Sequence, residues 1–267
     1  MILLQAVKVL LLSLFAFLAA FAITPGVRAL LVRYGARKQI RASDDAPVYS
    51  ALHKKKEGTP TMGGVIVWLT VLGLAFSIVL FASIYYGFWD YLNFVSRAET
   101  YLPLVAMGLA AGIGLFDDIL GVLRIGSRGG GLKVTQKLLV YVAIAALGAL
   151  WFYFRLGWDV LYLPLIGNVV IGWWYVPLFM FVVTATAFSA NEADGLDGLL
   201  GGVMLFAFLA MTVVAFVLGR YHLATMSGVI SGALLAFLWF NIYPAQFFMG
   251  DTGSMALGIT LGVMAML

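Results

Sequence analysis

Carboxylates are the groups of this 267-residue chain best able to do chemistry, and six of the 12 fall in three clusters. Asp117 and Asp118 are adjacent and directly follow an apolar run; the segment Asn191–Gly198 (NEADGLDG) holds three more; and Asp251 ends the segment FMGD. Neighbouring carboxylates repel each other, so a nearby Mg²⁺ or a shared proton would stabilise them. The pattern therefore predicts catalysis or metal binding.

Basic groups that could bind phosphate form two further clusters. The segment His53–Gly64 (HKKKEGTPTMGG) joins three lysines to a Gly-Thr run that enters a helix and offers backbone and hydroxyl donors to an anion. A basic loop lies beside the Asp pair and would suit a lipid phosphate or lipid headgroups alike. Its members are Arg124, Arg128, Lys133 and Lys137.

Each cluster also has a plainer interpretation. The Asp pair could be a hydrated helix end, the segment 191–198 a polar turn, and Asp251 the N-cap of a helix that begins near Ser254. The lysines of 54–56 could be ordinary cytoplasmic anchors, although that leaves GTPTMGG unexplained. His53 and His222 carry no chemical prediction. The occurrence of all these clusters on one side of the molecule favours a functional site.

The elements that must position these residues are transmembrane helices. The chain is 63% hydrophobic and 10% charged, and its apolar segments are close to the roughly 20 residues that span a bilayer. They lack the alternation of barrel strands, so we predict an all-α, polytopic transmembrane bundle that forms one domain over 1–267. The predicted spans are Leu3–Leu31, Gly63–Tyr86, Leu102–Asp117, Lys137–Leu156, Trp173–Ser189, Leu199–Leu218 and Leu223–Ile242, with an eighth helix from Met255 to Leu267. Because this eighth run stops short, we expect a fragment of a longer protein.

Charge asymmetry gives the orientation. Most of the 16 basic residues lie in or beside the loops after helices one, three, five and seven, so the positive-inside rule assigns those loops to the cytoplasm. Two spans separate each polar cluster from the next, which returns the chain to the same face. The opposite loops, 85–101 and 151–175, are aromatic and resemble interfacial belts. Asn168 between Gly167 and Gly172 indicates a turn there, with a short hairpin as one form of it.

The motifs resemble those of the polyprenyl-phosphate N-acetylhexosamine-1-phosphate transferases. The superfamily pattern is the Asp pair, the Asn-x-x-Asp-Gly-Leu-Asp-Gly loop and the Met-Gly-Asp segment. Within it, HxxK-x-GTPTMGG and WFNxYPAQxFMGDxGS are most similar to the phospho-N-acetylmuramoyl-pentapeptide transferase family, also called translocase I. The resemblance implies ten helices in the bacterial inner membrane, a cytoplasmic active site, Mg²⁺ as cofactor and a homodimer.

The same resemblance implies a reaction in peptidoglycan biosynthesis. Phospho-MurNAc-pentapeptide would pass from UDP-MurNAc-pentapeptide to undecaprenyl phosphate, giving lipid I and UMP. Asp117 and Asp118 would be the catalytic carboxylates, Asp251 the Mg²⁺ ligand, and Phe248 a platform for uracil. The remaining substrate-binding positions implied are Lys56, Thr61, Lys137, Asn191, Asp194, Gly195, Leu196, Asp197 and Asn241.

The sequence departs from the family pattern at three places. Phe188 stands where the family usually has Asn, Glu192-Ala193 replaces Leu-Thr, and Gly121 replaces a lysine three positions after the Asp pair. Arg124 is a substitute candidate for that lysine. The family's His-rich cytoplasmic loop would lie beyond Leu267.

Two other functions are compatible with parts of the pattern. A sister enzyme that transfers another HexNAc-1-phosphate shares the superfamily motifs but not GTPTMGG or PAQxFMGD. A transporter would place ionisable groups near the bilayer midplane, whereas the acids here collect at one face. The transfer itself has two possible routes: direct attack by the lipid phosphate, which we favour, and double displacement through an aspartyl-phosphate.

Overall fold

The computed structural model describes residues 2–37, 58–85, 87–95, 97–126, 130–163 and 166–267. Within these ranges the chain forms nine α-helices and one two-stranded hairpin. The helices are α1 Ile2–Arg33, α2 Val65–Ile84, α3 Phe88–Leu92, α4 Ala98–Val122, α5 Val134–Leu150, α6 Tyr175–Ala193, α7 Leu199–Val217, α8 Tyr221–Asn241 and α9 Asp251–Ala265. A π-helical turn, Trp151–Arg155, extends α5, and a 3₁₀ turn, Gly172–Trp174, precedes α6.

Seven helices of the described chain are long and apolar enough to cross a membrane: α1, α2, α4, α5 with its π turn, α6 with its 3₁₀ turn, α7 and α8. The predicted all-α polytopic bundle is therefore confirmed. The eighth predicted helix is present as α9, but it begins at Asp251 rather than Met255. Most of these helices keep one side against the bundle and expose apolar side chains on the other, as a lipid-facing helix does.

Helix α8 is the centre of the bundle. Its membrane-length segment is 83% buried, because α1, α7 and α2 pack around it. Glycines permit the closest of these approaches: a Cβ on Gly232 would collide with the backbone of Ser13 in α1. Small residues at such contacts are the usual means by which membrane helices come close. The C-terminal end of α8, at Asn241, is thereby held in the middle of one face.

Helix α9 is wedged between α4 and α6. A Cβ on Gly258 would collide with Ala187 of α6, and a Cβ on Gly114 of α4 would collide with the backbone of Asp251 and Thr252. These close contacts fix the first turn of α9 directly against the Asp pair of α4. The packing therefore joins two motifs that lie more than a hundred residues apart in sequence.

The predicted end of α4 at Asp117 is wrong. The helix continues through Asp117 and Asp118 to Val122, because apolar residues resume after the pair and because both carboxylates have partners within the bundle. The Asp pair is thus held on a rigid helix, one turn before its end. The interpretation of the pair as a hydrated helix end is wrong for Asp117, which is 2% exposed.

The aromatic connection before α6 contains the predicted hairpin. Strands β1 (Val160–Leu163) and β2 (Gly167–Val170) pair antiparallel, with Val160 opposite Val170. Trp173 packs edge-on against Tyr153 of the π turn at 5.4 Å between ring centroids. This part of the molecule lies at the end opposite to the carboxylate clusters, because α6 runs from one to the other.

Candidate active site

The ammonium group of Lys137 is the point at which the carboxylate clusters meet. Lys137 lies in the first turn of α5, and its Nζ is 2.7 Å from Asp117 Oδ2 and 2.6 Å from Asp251 Oδ2. The lysine is 17% exposed and Asp117 is 2% exposed, so these ion pairs are largely shielded from solvent. Charge-assisted contacts of this kind are stronger than neutral hydrogen bonds. One cation therefore holds α4, α5 and α9 together.

The two adjacent aspartates have different surroundings. Asp117 accepts the backbone N–H of Leu132 at 2.5 Å through Oδ1, while its other oxygen faces Lys137. Asp118 Oδ2 accepts the backbone N–H of Thr252 at 3.0 Å, in the first turn of α9. Because the first N–H groups of a helix have no partner within the helix, Asp118 caps α9 from a neighbouring helix. Asp117 is directed to the charged centre, and Asp118 anchors the element that carries Asp251.

Asp251 is not the N-cap of α9. Gly250 occupies the cap position without a side-chain bond, and Asp251 is the first helical residue. The Asp251 Oδ1 atom accepts a hydrogen bond from Asn191 Nδ2, and the same amide nitrogen lies 3.1 Å from Ser254 Oγ. The Asn191 side chain thus ties the end of α6 to the start of α9 and orients the carboxylate toward Lys137.

The other carboxylates of the segment 191–198 hold the loop that precedes α9. Asp194 Oδ2 accepts the N–H of Gly250 at 3.0 Å, and Asp197 Oδ2 accepts the N–H of Ala245 at 3.2 Å. These bonds shape the backbone of 242–250 from one side. Leu196 is exposed and Gly195 half-buried, so this part of the loop faces outward.

The segment 58–64 shapes the same loop from the other side. Phe248 donates its N–H to Pro60 O at 2.8 Å, and Gly63 N and Gly64 N donate to Phe248 O and Met249 O, both at 2.8 Å. Thr61 is buried, and a Cβ on Gly250 would lie 3.0 Å from its Oγ1. Backbone hydrogen bonds therefore join the GTPTMGG and FMGD motifs into one structural unit. Lys56 and His53 lie outside the described residues.

Asn241, at the end of α8, uses both ends of its amide within the protein. Its Oδ1 accepts the N–H of Gly198 at 3.0 Å, and its Nδ2 donates to Phe247 O at 2.8 Å. The side chain is 5% exposed. It joins the two loops that flank the site, and its substrate-binding role stays a prediction.

A divalent cation fits the charged centre by its donor set. Two carboxylates approach one cation, Lys137, and hard oxygen ligands are those that Mg²⁺ prefers. Among the described residues, no group of three or more His, Cys, Asp or Glu side chains is close enough together to hold a metal. Mg²⁺ is commonly held by only one or two carboxylates together with substrate phosphates. Asp251 is the residue that would hold it, next to the Asp117 carboxylate.

Sequence reasoning missed several residues that complete the site. Thr252 is fully buried and accepts a hydrogen bond from Trp68 Nε1 at 3.1 Å, while its own hydroxyl donates to Ala111 O at 3.0 Å. Tyr141 lies one turn beyond Lys137 and is 1% exposed. The sequence did not single out Thr252 or Tyr141, because Thr and Tyr are common in membrane helices. The available signal for Tyr141 was its spacing of four residues from Lys137, and that for Thr252 was its position directly after Asp251.

The three departures from the family pattern lie at the edges of the site. Phe188 is 39% exposed on α6, and Glu192 is exposed near the end of the same helix. A Cβ on Gly121 would meet nothing within 4 Å. Arg124, after α4, has a left-handed backbone with φ of 59°. The central contacts among Asp117, Lys137 and Asp251 involve none of these positions.

Comparison with known proteins agrees with this geometry. Residues 100–267 match the model described as glycosyl transferase family 4, and residues 56–66 match phospho-N-acetylmuramoyl-pentapeptide-transferase signature 1. Three proteins named phospho-N-acetylmuramoyl-pentapeptide-transferase are similar to the chain. That of Clostridium novyi is 36% identical over 218 residues, which cover 80% of this chain and 62% of the relative. That of Chloroflexus aurantiacus is 34% identical over 258 residues (93% and 65%), and that of Listeria welshimeri 35% over 256 residues (94% and 74%).

Fold and site thus define a polytopic helical membrane protein whose carboxylate motifs converge at one face. With its match over 100–267 and its relatives above 30% identity, the chain belongs to glycosyl transferase family 4 and, within it, to the phospho-N-acetylmuramoyl-pentapeptide transferases. It spans a little under two thirds of the length of the first two relatives.

Proposed function

We propose that this protein transfers phospho-MurNAc-pentapeptide from UDP-MurNAc-pentapeptide to undecaprenyl phosphate, which yields lipid I and UMP. The observation that carries the proposal is the cluster in which Lys137 contacts both Asp117 and Asp251. Asn191 donates a hydrogen bond to the other oxygen of Asp251. Asp117, Asn191 and Asp251 come from three different motifs of the family, and Lys137 comes from the basic loop. Membership of the family supports the nucleotide-sugar donor and the lipid acceptor.

The reaction exchanges one phosphoanhydride bond for another. An oxygen of the lipid phosphate forms a bond to the phosphorus attached to the sugar, while the bond from that phosphorus to the UMP oxygen breaks and UMP leaves with the electron pair. Such reactions depend mostly on positioning and on neutralisation of charge. In this proposal, Lys137 binds the phosphate oxygens, and Phe248, held at its backbone on both sides, receives the uracil. A Mg²⁺ held by Asp251 would supply further neutralisation of the diphosphate.

Direct attack by the lipid phosphate is the route that the contacts favour. An aspartyl nucleophile needs an oxygen free to reach phosphorus, but both oxygens of Asp117 are engaged, one by Leu132 N–H and one by Lys137. Asp118 is directed to the start of α9. A lipid phosphate is already largely ionised at neutral pH, so it needs orientation more than deprotonation. We therefore propose that Asp117 positions Lys137 and that Asp118 anchors the start of α9.

The further parts of the proposal follow from the family and from charge. We propose Mg²⁺ dependence, the bacterial inner membrane as location, a cytoplasmic active site, and assembly as a homodimer. The basic residues beside the site support the orientation, because positive charge favours the cytoplasmic side of a membrane protein. The sister activity, transfer of another HexNAc-1-phosphate, is disfavoured by the match to signature 1 at 56–66.

A donor comparison tests the proposal. Purified protein is given undecaprenyl phosphate with either UDP-MurNAc-pentapeptide or UDP-GlcNAc, and UMP and the lipid product are measured by mass spectrometry. We expect product with the first donor and little with the second. Asp251→Asn should nearly abolish product while membrane insertion persists, because loss of a catalytic metal contact removes several kcal/mol of transition-state stabilisation. Equal use of UDP-GlcNAc, or turnover of Asp251→Asn within a few-fold of the parent, would contradict the assignment.

A further inference from the structure

The ammonium of Lys137 lies where a divalent cation would lie. It contacts one oxygen of each carboxylate, Asp117 Oδ2 at 2.7 Å and Asp251 Oδ2 at 2.6 Å. The ammonium brings one positive charge to two negative ones, so the centre keeps a net negative charge. A cation with two charges, bound at Asp251 Oδ2, would balance the same pair.

Asp251 cannot easily turn another oxygen to a metal. Its Oδ1 atom accepts the hydrogen bond from Asn191, whose amide is fixed at the end of α6 and also contacts Ser254. The Oδ2 atom, which faces Asp117, is therefore the one available for sharing. Two cations at contact distance from a single carboxylate oxygen repel each other strongly where solvent is largely excluded. A metal that binds Asp251 beside Asp117 must therefore compete with Lys137.

An acceptor for the displaced lysine lies on the same helix. Tyr141 follows Lys137 by one turn of α5, and side chains of an α-helix lean toward its N-terminus, which directs Tyr141 toward Lys137. The Tyr141 hydroxyl is buried and has no hydrogen-bond partner among the residues that the structure describes. A phenolic oxygen can accept a hydrogen bond from an ammonium.

We propose that Lys137 is an exchangeable internal cation. Without metal it neutralises Asp117 and Asp251. When a divalent cation binds Asp251, Lys137 leaves Asp251, keeps Asp117, and donates to the Tyr141 hydroxyl instead. The third N–H of the ammonium is then the donor to the phosphate oxygens of the proposed substrate. This inference rests on the metal role of Asp251 in the proposed function. The exchange keeps the two carboxylates from repelling each other when no metal is bound, and it turns the ammonium away only when its charge is replaced.

The plainer interpretation is a permanent ion pair beside a core tyrosine. An unpaired buried hydroxyl costs stability, so a purely structural site would be served better by phenylalanine. The two interpretations also predict opposite effects of Lys137 on metal affinity. A permanent ion pair that organises the carboxylates would help a metal to bind, whereas an exchangeable cation competes with it.

Direct measurement of metal affinity separates them. The probe is Mn²⁺ alone, with free Mn²⁺ followed by electron paramagnetic resonance, on the purified full chain in detergent without substrates. The variants are Lys137→Met, Tyr141→Phe and the double variant, with Lys133→Met as the control. Lys133 is an exposed lysine at the start of the same helix, so its variant reports the general effect of losing one positive charge.

We expect Lys137→Met to bind Mn²⁺ about tenfold more tightly than the parent, because no charge-assisted contact must be broken first. Lys133→Met should change the affinity by about twofold at most, since exposed charges act weakly. Tyr141→Phe should bind Mn²⁺ several-fold more weakly without loss of thermal stability. In the Lys137→Met background, Tyr141→Phe should have no effect, because the lysine that needs the hydroxyl is gone.

Unchanged or weaker Mn²⁺ binding by Lys137→Met would overturn the proposal. So would an equal effect of Tyr141→Phe in both backgrounds, or the absence of Mn²⁺ binding in the parent and all variants. If Lys137→Met does not fold, Lys137→Gln serves in its place, since it removes the charge but retains amide donors. Failure of the proposed function would look different. The Mn²⁺ affinities of the parent and its variants would follow the expected order, but the parent would release no UMP from UDP-MurNAc-pentapeptide.

Discussion

At the scale of single residues, carboxylates that look equivalent in the sequence have two different roles in the site. Asp117 and Asp251 face the Lys137 ammonium, whereas Asp118, Asp194 and Asp197 accept backbone N–H groups of the loop and helix that carry Asp251. The first group of carboxylates binds a cation, and the second group fixes the backbone that carries Asp251. Substitutions of the two groups should therefore differ in what they disturb.

Asp117→Asn should lower kcat far more than it raises KM for the UDP-sugar. The amide keeps the size of the side chain but loses the charge that holds Lys137, and the nucleotide is expected at the loops 58–64 and 242–250 instead. An interaction needed mainly in the transition state affects kcat when it is lost. Steady-state kinetics with purified protein measures both constants. A rise in KM alone would assign Asp117 to the nucleotide site.

Phe248→Ala should weaken UMP binding. Stacking of a base on an aromatic ring contributes about 1–3 kcal/mol per base in nucleic-acid complexes. Isothermal titration of UMP measures the change directly. Tyr243→Ala is the matched control, because Tyr243 is an aromatic residue of the same loop that is 73% exposed. Equal losses in both variants, or none in Phe248→Ala, would remove the stacking role from Phe248.

At the scale of elements, glycines decide how close the helices of the site come. Gly114 of α4 is buried, and a Cβ there would collide with the backbone of Asp251 and Thr252; Gly112, two residues earlier, has open space around its Cβ position. The contact sets the distance between α4 and α9. It therefore also sets the distance between the carboxylates that Lys137 bridges.

Gly114→Ala should destabilise the protein by about 1–3 kcal/mol, the usual cost of overpacking, and should lower activity by moving Asp251. Gly112→Ala should be neutral or stabilising by up to about 1 kcal/mol, because it only removes the flexibility of a helical glycine. Thermal unfolding in detergent compares the two variants. If both behave alike, the close contact of α4 with α9 does not hold the site.

Much of this organisation could be predicted from the sequence. The length of the apolar runs gave the seven spans, and the even number of crossings between motifs gave their meeting at one face. The partners of each carboxylate could not be predicted, because Asp117 and Asp251 come together only through packing of α9 against α4, and Lys137 contacts both from α5. The start of α9 was missed because Asp251 looked like a cap, whereas Gly250 is the cap residue and Asp118 on another helix accepts the N–H of Thr252.

At the scale of the whole molecule, the bundle is polar at one face and aromatic at the other. The ends of α4, α6 and α8 and the starts of α5, α7 and α9 all lie at the face that holds the carboxylates. The proposed orientation puts that face in the cytoplasm, where the nucleotide substrate is found. In the proposed reaction the bilayer would be the route of the lipid acceptor, and the exposed apolar side chains of the bundle would face it.

Orientation can be read from single cysteines, because the chain has none of its own. Cysteines replacing Lys133 or Gln246 should be shielded from a membrane-impermeant thiol reagent in spheroplasts, and those replacing Tyr85 or Val170 should react. All four positions are exposed, so their reactivity reports the side of the membrane rather than burial. Permeabilised spheroplasts, in which all four should react, are the control. Reaction of the first pair in intact spheroplasts would reverse the orientation.

The measurement that tests the central claim most directly is lipid I formation in oriented membrane vesicles. UDP-MurNAc-pentapeptide does not cross membranes, so it reaches the cytoplasmic face only when it is added outside inverted vesicles. Vesicles that carry the protein should form lipid I and UMP when inverted, not when right-side-out, and not with Asp251→Asn. Lipid I formed equally in both orientations, or in neither, would contradict a single transferase site at the cytoplasmic face.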